Sequence, residues 1–172
     1  MLISFCNLLV ELGDGHYFVN DPGLIVNSLV RIIGDENEPA HVILEMSGEI
    51  VWKARGGWIE GVTIRRPRIA TGGTPSSQIM RIDGGRLNMY NCVFDNRGNI
   101  GNCISASGSK SGGSWEKASI KGGSQDKSGL FVENGAYIQL IDVSVESMCF
   151  YWIKFVVCSQ LLSALCIYTG PY

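Results

Sequence analysis

A six-residue pattern recurs four times along the chain, and its spacing constrains the fold more than any other feature. In each copy an apolar residue is followed by two corner residues and then by an apolar–small–apolar triplet. The copies are Ile59–Ile64, Met89–Phe94, Trp115–Ile120 and Leu140–Val145, and their last residues are 30, 26 and 25 positions apart. A period of this size, with apolar alternation inside it, is typical of a β-solenoid in which each repeat forms one coil.

Three columns of apolar residues recur in step with this period. The first column contains single residues: Ile32, Ile59, Met89, Trp115 and Leu140. The second contains alternating pairs: Leu24/Val26, Trp52/Ala54, Met80/Ile82, Ile104/Ala106 and Leu130/Val132. The third contains the pairs Val42/Leu44, Val62/Ile64, Cys92/Phe94, Ala118/Ile120 and Val143/Val145. We expect each coil to contribute one short strand per column, with like residues stacked about 4.8 Å apart.

These columns predict an all-β domain, a right-handed parallel β-helix (solenoid) of about five coils over residues 13–147. Right-handed crossovers are expected because parallel β-connections almost always have that hand. An antiparallel sandwich is the alternative interpretation of short apolar runs. The repeat evidence favours the solenoid, since three columns keep their register over five repeats and insertions fall only in turns.

The corner residues carry a conformational prediction. Gly61, Asn91 and Asp142 share one corner of successive coils, and these residue types tolerate a positive φ. Lys117 occupies the same place in its coil, so a locally altered corner is expected there. Trp115, which begins that copy of the pattern, is expected to lie inside the solenoid between its column neighbours.

The two ends of the chain differ from the repeats. Residues 1–12, MLISFCNLLVEL, are expected to form a short helix or strand that caps the open end, and not a cleaved leader. Residues 148–172 are mostly apolar and contain no turn signal up to Tyr168, so a further coil of the same kind is not expected. A cap over the last coil, a membrane span over 148–168, and a truncated or foreign tail remain open interpretations.

Composition excludes several functional classes. The formal net charge is −2 and 17% of residues are charged, so no nucleic-acid-binding tail is present. The six cysteines form no CxxC pair and the two histidines are far apart in sequence, so neither a metal site nor a cofactor is expected. No Asn-x-Ser/Thr sequon occurs, which favours an intracellular protein over a glycosylated secreted one.

Three segments near the first coils carry a family resemblance: Val30–Asp35, Glu38–Leu44 and Gly57–Ile64. Together they resemble the opening of right-handed parallel β-helix regions of pectin-lyase-like fold. The form is similar to the β-helix repeats of F-box β-helix proteins and of the SHC SH2-domain-binding protein group. That resemblance implies a fold but not an activity, because the fold serves polysaccharide lyases, hydrolases, epimerases and non-catalytic binding regions.

In the enzymes of that resemblance the substrate groove lies on the strand column that corresponds here to the second column. On that face, and on the loop that returns to it, we expect a ligand-binding patch made of Lys53, Arg55, Arg65, Arg66, Arg68, Arg81 and Asp83. A patch of this charge suits an anionic partner, either an acidic glycan or an acidic or phosphorylated protein surface. An ordinary solvated surface is the alternative interpretation of the same residues.

Catalytic residues are not expected. Hydrolases of the resembling fold need clustered aspartates and lyases need calcium-binding carboxylates with a basic residue, whereas Asp83 stands alone on its column. The prediction is therefore a non-catalytic binding or scaffold module, with a polysaccharide lyase or epimerase as the alternative. Arg65, Asp95, Lys121 and Glu146 alternate in sign after the third column, which indicates a ladder of exposed ion pairs that specifies register.

Overall fold

The computed structural model describes residues 8–20, 23–67, 78–99, 101–122 and 128–146, together with the backbone of 153–156. Its strands form three parallel sheets. Sheet A contains β1 (Leu8–Glu11), β4 (Val30–Ile33), β7 (Trp58–Glu60), β10 (Asn88–Tyr90), β13 (Gly112–Glu116) and β16 (Tyr137–Ile141). Sheet B contains β2 (Gly15–Val19), β5 (Val42–Met46), β8 (Thr63–Arg65), β11 (Val93–Asn96), β14 (Ser119–Gly122) and β17 (Ser144–Glu146). Sheet C contains β3 (Gly23–Val26), β6 (Glu49–Trp52), β9 (Met80–Asp83), β12 (Ile104–Ser107), β15 (Leu130–Glu133) and β18 (Ile153–Val156).

Successive strands visit the three sheets in turn, so the chain winds as a parallel β-solenoid. Every strand inside a sheet pairs with the equivalent strands of the coils before and after it, the two end strands of each sheet pair with one neighbour, and all of these pairings are parallel. A short 3₁₀ helix, Pro39–His41, interrupts the turn before β5. The prediction of an all-β parallel solenoid of about five coils is confirmed.

The core is the interior of the solenoid, where the inward residues of all three sheets stack along the axis. The first column is confirmed, because Met89 is in register with Ile59 and Trp115, and Trp115 with Leu140. The third column is confirmed as well, since Ile64, Phe94 and Ile120 face one another in consecutive strands. Trp115 has no exposed surface, in agreement with its predicted inward position.

The second column contains one error. In β6 the residues in register with Met80 and Ile82 are Ile50 and Trp52, and not Trp52 and Ala54 as the spacing predicted. A slip of two residues leaves every side chain on the same face, so alternation alone does not distinguish the two registers. Ala54 is nevertheless buried, because it turns inward just after the strand ends.

The corners adopt the predicted left-handed conformation. Gly61, Asn91 and Asp142 have φ values of 62°, 47° and 51°. Lys117 has a φ of 52°, so the prediction of an altered corner at this position is wrong. The backbone geometry of the coil, which is repeated in register above and below, imposes the conformation on the lysine despite its Cβ.

Both ends extend the solenoid beyond the predicted coils. Leu8–Glu11 is a strand at the edge of sheet A, so within the described part of residues 1–12 the strand interpretation holds and the helix does not. Ile153–Val156 pairs with β15, so the expectation of no further coil-type strand is wrong there. The rest of 148–172 lies outside the described residues. The interpretations of that tail as a cap, a membrane span or a truncated or foreign end are therefore not tested. No helix among the described residues is long and apolar enough to cross a bilayer.

Candidate binding face

The outward surface of sheet C, together with the residues that follow its strands, is here called the sheet C face. Its central row, taken along the axis, consists of the register partners Ile25, Val51, Arg81, Ser105 and Phe131. The next row contains Asp83, Ser107 and Glu133 in register. Arg81 is flanked in its row by Val51 and Ser105, and Asp83 has Ser107 on one side and the Lys53 side chain on the other.

Each of two predicted site cations on this face has an acidic neighbour. Lys53 Nζ lies 3.9 Å from Asp83 Oδ2, and about half of each side chain is exposed to solvent. Arg81 Nε lies 3.5 Å from Glu49 Oε1, which also accepts a hydrogen bond from Gln78 Nε2. Ion pairs this exposed hold their partners weakly, so both cations remain accessible to an external anion.

The spacing of the second column, which aligns Trp52 with Met80, predicts that Lys53 and Arg81 are direct neighbours along the axis, and this prediction is wrong. Val51 is the register partner of Arg81. Lys53 and Asp83, each two residues further along the chain, therefore lie beside each other. The cause is the two-residue register error at β6. Arg55 follows Lys53 in the turn after the strand and is exposed, with no ion pair within the described part of the chain.

Arg65 and Arg66, which follow the third column, do not join this face. Arg65 points outward from β8 in sheet B, where its Nε donates to Glu45 Oε2 at 2.9 Å. Arg66 is buried, with 8% of its surface exposed, so it is not presented to a partner in this conformation. Arg68 lies outside the described residues. Of the predicted patch, the structure brings together Lys53, Arg81 and Asp83, with Arg55 in the adjoining turn.

The outward row of sheet B is the predicted charge ladder. Arg65, Asp95, Lys121 and Glu146 are register partners in consecutive strands, and Glu45 extends the alternation by one residue. Burial by itself would raise the pKa of the Asp95 carboxyl. The hydrogen bonds that Asp95 accepts from the Arg97 side chain and backbone outweigh burial and lower its pKa. The alternation of charge over consecutive strands is the ladder expected from the sequence.

Within the described strands of the sheet C face, no two carboxylates of the row of Asp83 are direct register partners. Asp83 and Glu133 are the register partners on either side of Ser107, so two strand spacings, about 9–10 Å, separate their backbones. Asn134 Nδ2 donates to Ser107 Oγ at 3.0 Å, which places an amide beside the serine between them.

A cluster that the sequence reasoning missed lies at the corner before sheet B. Asp14, Asp35 and His41 bring one donor atom each to within 4.8 Å of one another, which is a spacing that allows metal coordination. Hydrogen bonds from the backbone of Asn37 and Glu38, and then from His41, lower the pKa of Asp35. Asp14 lies in the turn before β2, whereas Asp35 and His41 lie in the loop between β4 and β5, so no motif spacing in the sequence joins the three residues.

Comparison of the chain with protein-family models, with curated proteins and with solved structures found no significant match. The architecture shown is a parallel β-solenoid, and its functional interpretation depends on the geometry of the chain's own residues.

Proposed function

We propose that this protein is a non-catalytic β-helix module that binds an anionic partner on the sheet C face. The finer likeness to pectin-lyase-like β-helix repeats belongs to the same proposal. The observation that carries it is the group of exposed cations, Lys53, Arg55 and Arg81, which two neighbouring coils present at the sheet C face.

The geometry favours binding over catalysis for two reasons. A straight face of parallel strands presents groups at a regular spacing of about 4.8 Å, which suits an extended chain bearing repeated carboxylates or phosphates. Such a face is also open to water, whereas catalysis by paired acids needs two carboxylates at a defined separation around one bond. Asp83 has Lys53 as its nearest acid–base partner and not a second carboxylate.

Binding is tested with two carboxylate polymers, an oligogalacturonate for the glycan class and a polyglutamate peptide for the protein class. We expect one of them to bind with an affinity that falls as NaCl is raised, because exposed charge interactions are screened. Arg55→Glu and Arg81→Glu should each weaken this binding several-fold and reduce its salt dependence. Glu116→Lys, which changes charge on sheet A, should do neither.

Three outcomes would decide against the proposal. If the sheet C variants and the sheet A variant behave alike, the face is ordinary surface. If neither polymer binds to the parent chain at low salt, the anionic-partner assignment fails. If the oligogalacturonate is cleaved and Asp83→Asn abolishes the cleavage, the protein is a carbohydrate-active enzyme instead.

A further inference from the structure

The corner that leads into sheet B holds two carboxylates and an imidazole from separate parts of the first two coils. Asp14 lies in the turn before β2, Asp35 follows β4, and His41 ends the 3₁₀ helix before β5. Their donor atoms all lie within 4.8 Å of one another. Because β2 and β5 pair side by side in sheet B, the coil itself brings the turn that carries Asp14 next to the loop that carries the other two.

The two donors from the longer loop lie close to the separation of neighbouring ligands. Asp35 Oδ2 and His41 Nδ1 are 3.1 Å apart. This is a hydrogen-bonding distance. Two ligand atoms at about 2.0–2.1 Å from a tetrahedral zinc ion are separated by about 3.3–3.4 Å, so only a small adjustment of this pair is needed to admit the ion. The other carboxylate oxygen, Asp35 Oδ1, accepts the backbone N–H groups of Asn37 and Glu38. The side chain is thus held with Oδ2 toward His41.

His41, 3.1 Å from Asp35, is the basic side chain that the structure places at this corner. Neither Asp14 nor Asp35 forms an ion pair with a lysine or arginine within the ranges that the structure describes. Two carboxylates held within 4.8 Å repel each other unless a positive charge lies between them. A divalent cation at the centre of the three donors would relieve that repulsion.

We propose that Asp14, Asp35 and His41 form a binding site for a first-row divalent transition-metal ion, with Zn²⁺ as the reference ion. A mixed set of carboxylate oxygens and an imidazole nitrogen suits such ions, whereas Ca²⁺ and Mg²⁺ prefer oxygen ligands throughout. The bound ion links the first coil of the described chain to the second. It stabilises the coil of β1, β2 and β3, each of which pairs with a strand on one side only within the described residues.

The site is tested on the full chain after treatment with EDTA and its removal. The melting temperature is followed as ZnCl₂ is added, since an ion that binds the folded state raises the melting temperature with concentration. We expect a saturable rise in the parent chain. The apparent affinity should be at least ten-fold weaker in His41→Ala and in Asp14→Asn, and MgCl₂ should give no comparable rise.

His16→Ala is the matched control. His16 Nε2 lies 3.2 Å from Glu45 Oε2, so it also forms a histidine–carboxylate pair on the surface, but Arg65 shares that carboxylate. This variant should keep the response of the parent to zinc. An equal response in all four proteins, or an equal loss in His16→Ala and His41→Ala, would show adventitious binding and overturn the proposal. All variants retain every cysteine, so thiol binding of zinc cannot produce a difference between them.

Both test variants replace exposed side chains, and their melting temperatures in EDTA are compared with that of the parent before zinc is added. If His41→Ala lowers the melting temperature without metal, Asp14→Asn provides the independent measurement. Full retention of the zinc response in Asp14→Asn would exclude Asp14 as a ligand and contradict the site as proposed.

Discussion

The indole N–H of Trp115 donates a hydrogen bond to the backbone carbonyl of Leu87, 3.1 Å away in the preceding coil. The same turn receives a second buried indole, since Trp52 Nε1 donates to the carbonyl of Arg86 at 3.0 Å. Both tryptophans are fully buried, so two hydrogen bonds from core side chains hold the backbone of the turn between β9 and β10.

Replacement of Trp115 should therefore be costly. We expect Trp115→Ala to lower the free energy of unfolding by about 3–5 kcal/mol, because a large cavity forms in the core. Trp115→Phe should cost less, since it keeps an aromatic ring but leaves the Leu87 carbonyl without this donor. Chemical denaturation measures both. Trp58→Ala, at a half-buried outward position, is the control, and an equal loss there would contradict the described register.

The left-handed corner predicts a stabilising substitution at Lys117. Its φ of 52° is unfavourable for a lysine, and the equivalent residue one coil earlier is Asn91 with a φ of 47°. Lys117→Asn should raise the free energy of unfolding by about 0.5–1 kcal/mol, because Asn tolerates this conformation better. The gain is reduced by loss of the exposed hydrogen bond from Lys117 Nζ to Tyr90 Oη. Denaturation midpoints should show no gain for Lys121→Asn, which lies in an extended strand.

The charge ladder on sheet B predicts a small but measurable coupling between Glu45 and Arg65. A double-mutant cycle with alanine should give about 0.2–1 kcal/mol, as is usual for partly exposed pairs. The value should fall as salt is added. Arg65→Glu should destabilise more than Arg65→Ala, because it places a carboxylate between Glu45 and Asp95.

The pair Arg31–Glu60 on sheet A is the matched control for that cycle. Its N–O distance is 3.4 Å, against 2.9 Å for the Arg65–Glu45 pair, and Arg31 is more exposed. We expect a weaker coupling there. A stronger coupling for the sheet A pair would contradict the view that the ladder supports the register of sheet B.

The buried thiols predict a loss of stability at alkaline pH. Burial raises the pKa of Cys92 to about 12, and burial also raises the pKa of Cys103. In the unfolded chain a thiol ionises near pH 8.5 to 9, so above that range the unfolded state releases protons that the folded state keeps. The free energy of unfolding should therefore fall as pH rises from about 9 toward 12.

Two measurements check this prediction. Cys92→Ala should give a shallower decline of stability over that pH range than the parent chain. Iodoacetamide labelling at pH 8, followed by peptide mass spectrometry, should leave Cys92 and Cys103 unmodified in the folded protein and modify both in urea. Rapid labelling of either thiol in the folded protein would show that the reagent reaches the core and would contradict the burial of these two cysteines.

Much of this architecture could be predicted from the sequence, because its determinants are local and repeated. Alternation assigns each residue to the inner or outer side of a strand, and a constant period places equivalent residues side by side. These two properties were enough for the column from Ile59 to Leu140 and for the ladder from Arg65 to Glu146. They also located the left-handed corner, although they did not predict that Lys117 would adopt the same positive φ as its neighbours.

The tertiary structure decided what depends on the length and path of the turns. Shifting the register of β6 by two residues does not change which side chains face inward. The register that forms makes Val51 the neighbour of Arg81 and Asp83 the neighbour of Lys53. The same holds for the corner of Asp14 and His41, where two turns of unrelated sequence meet only because their coils are stacked. Residues within a strand are placed by a pattern that the chain carries locally. Residues in turns are placed by the closure of a whole coil, which no local pattern encodes.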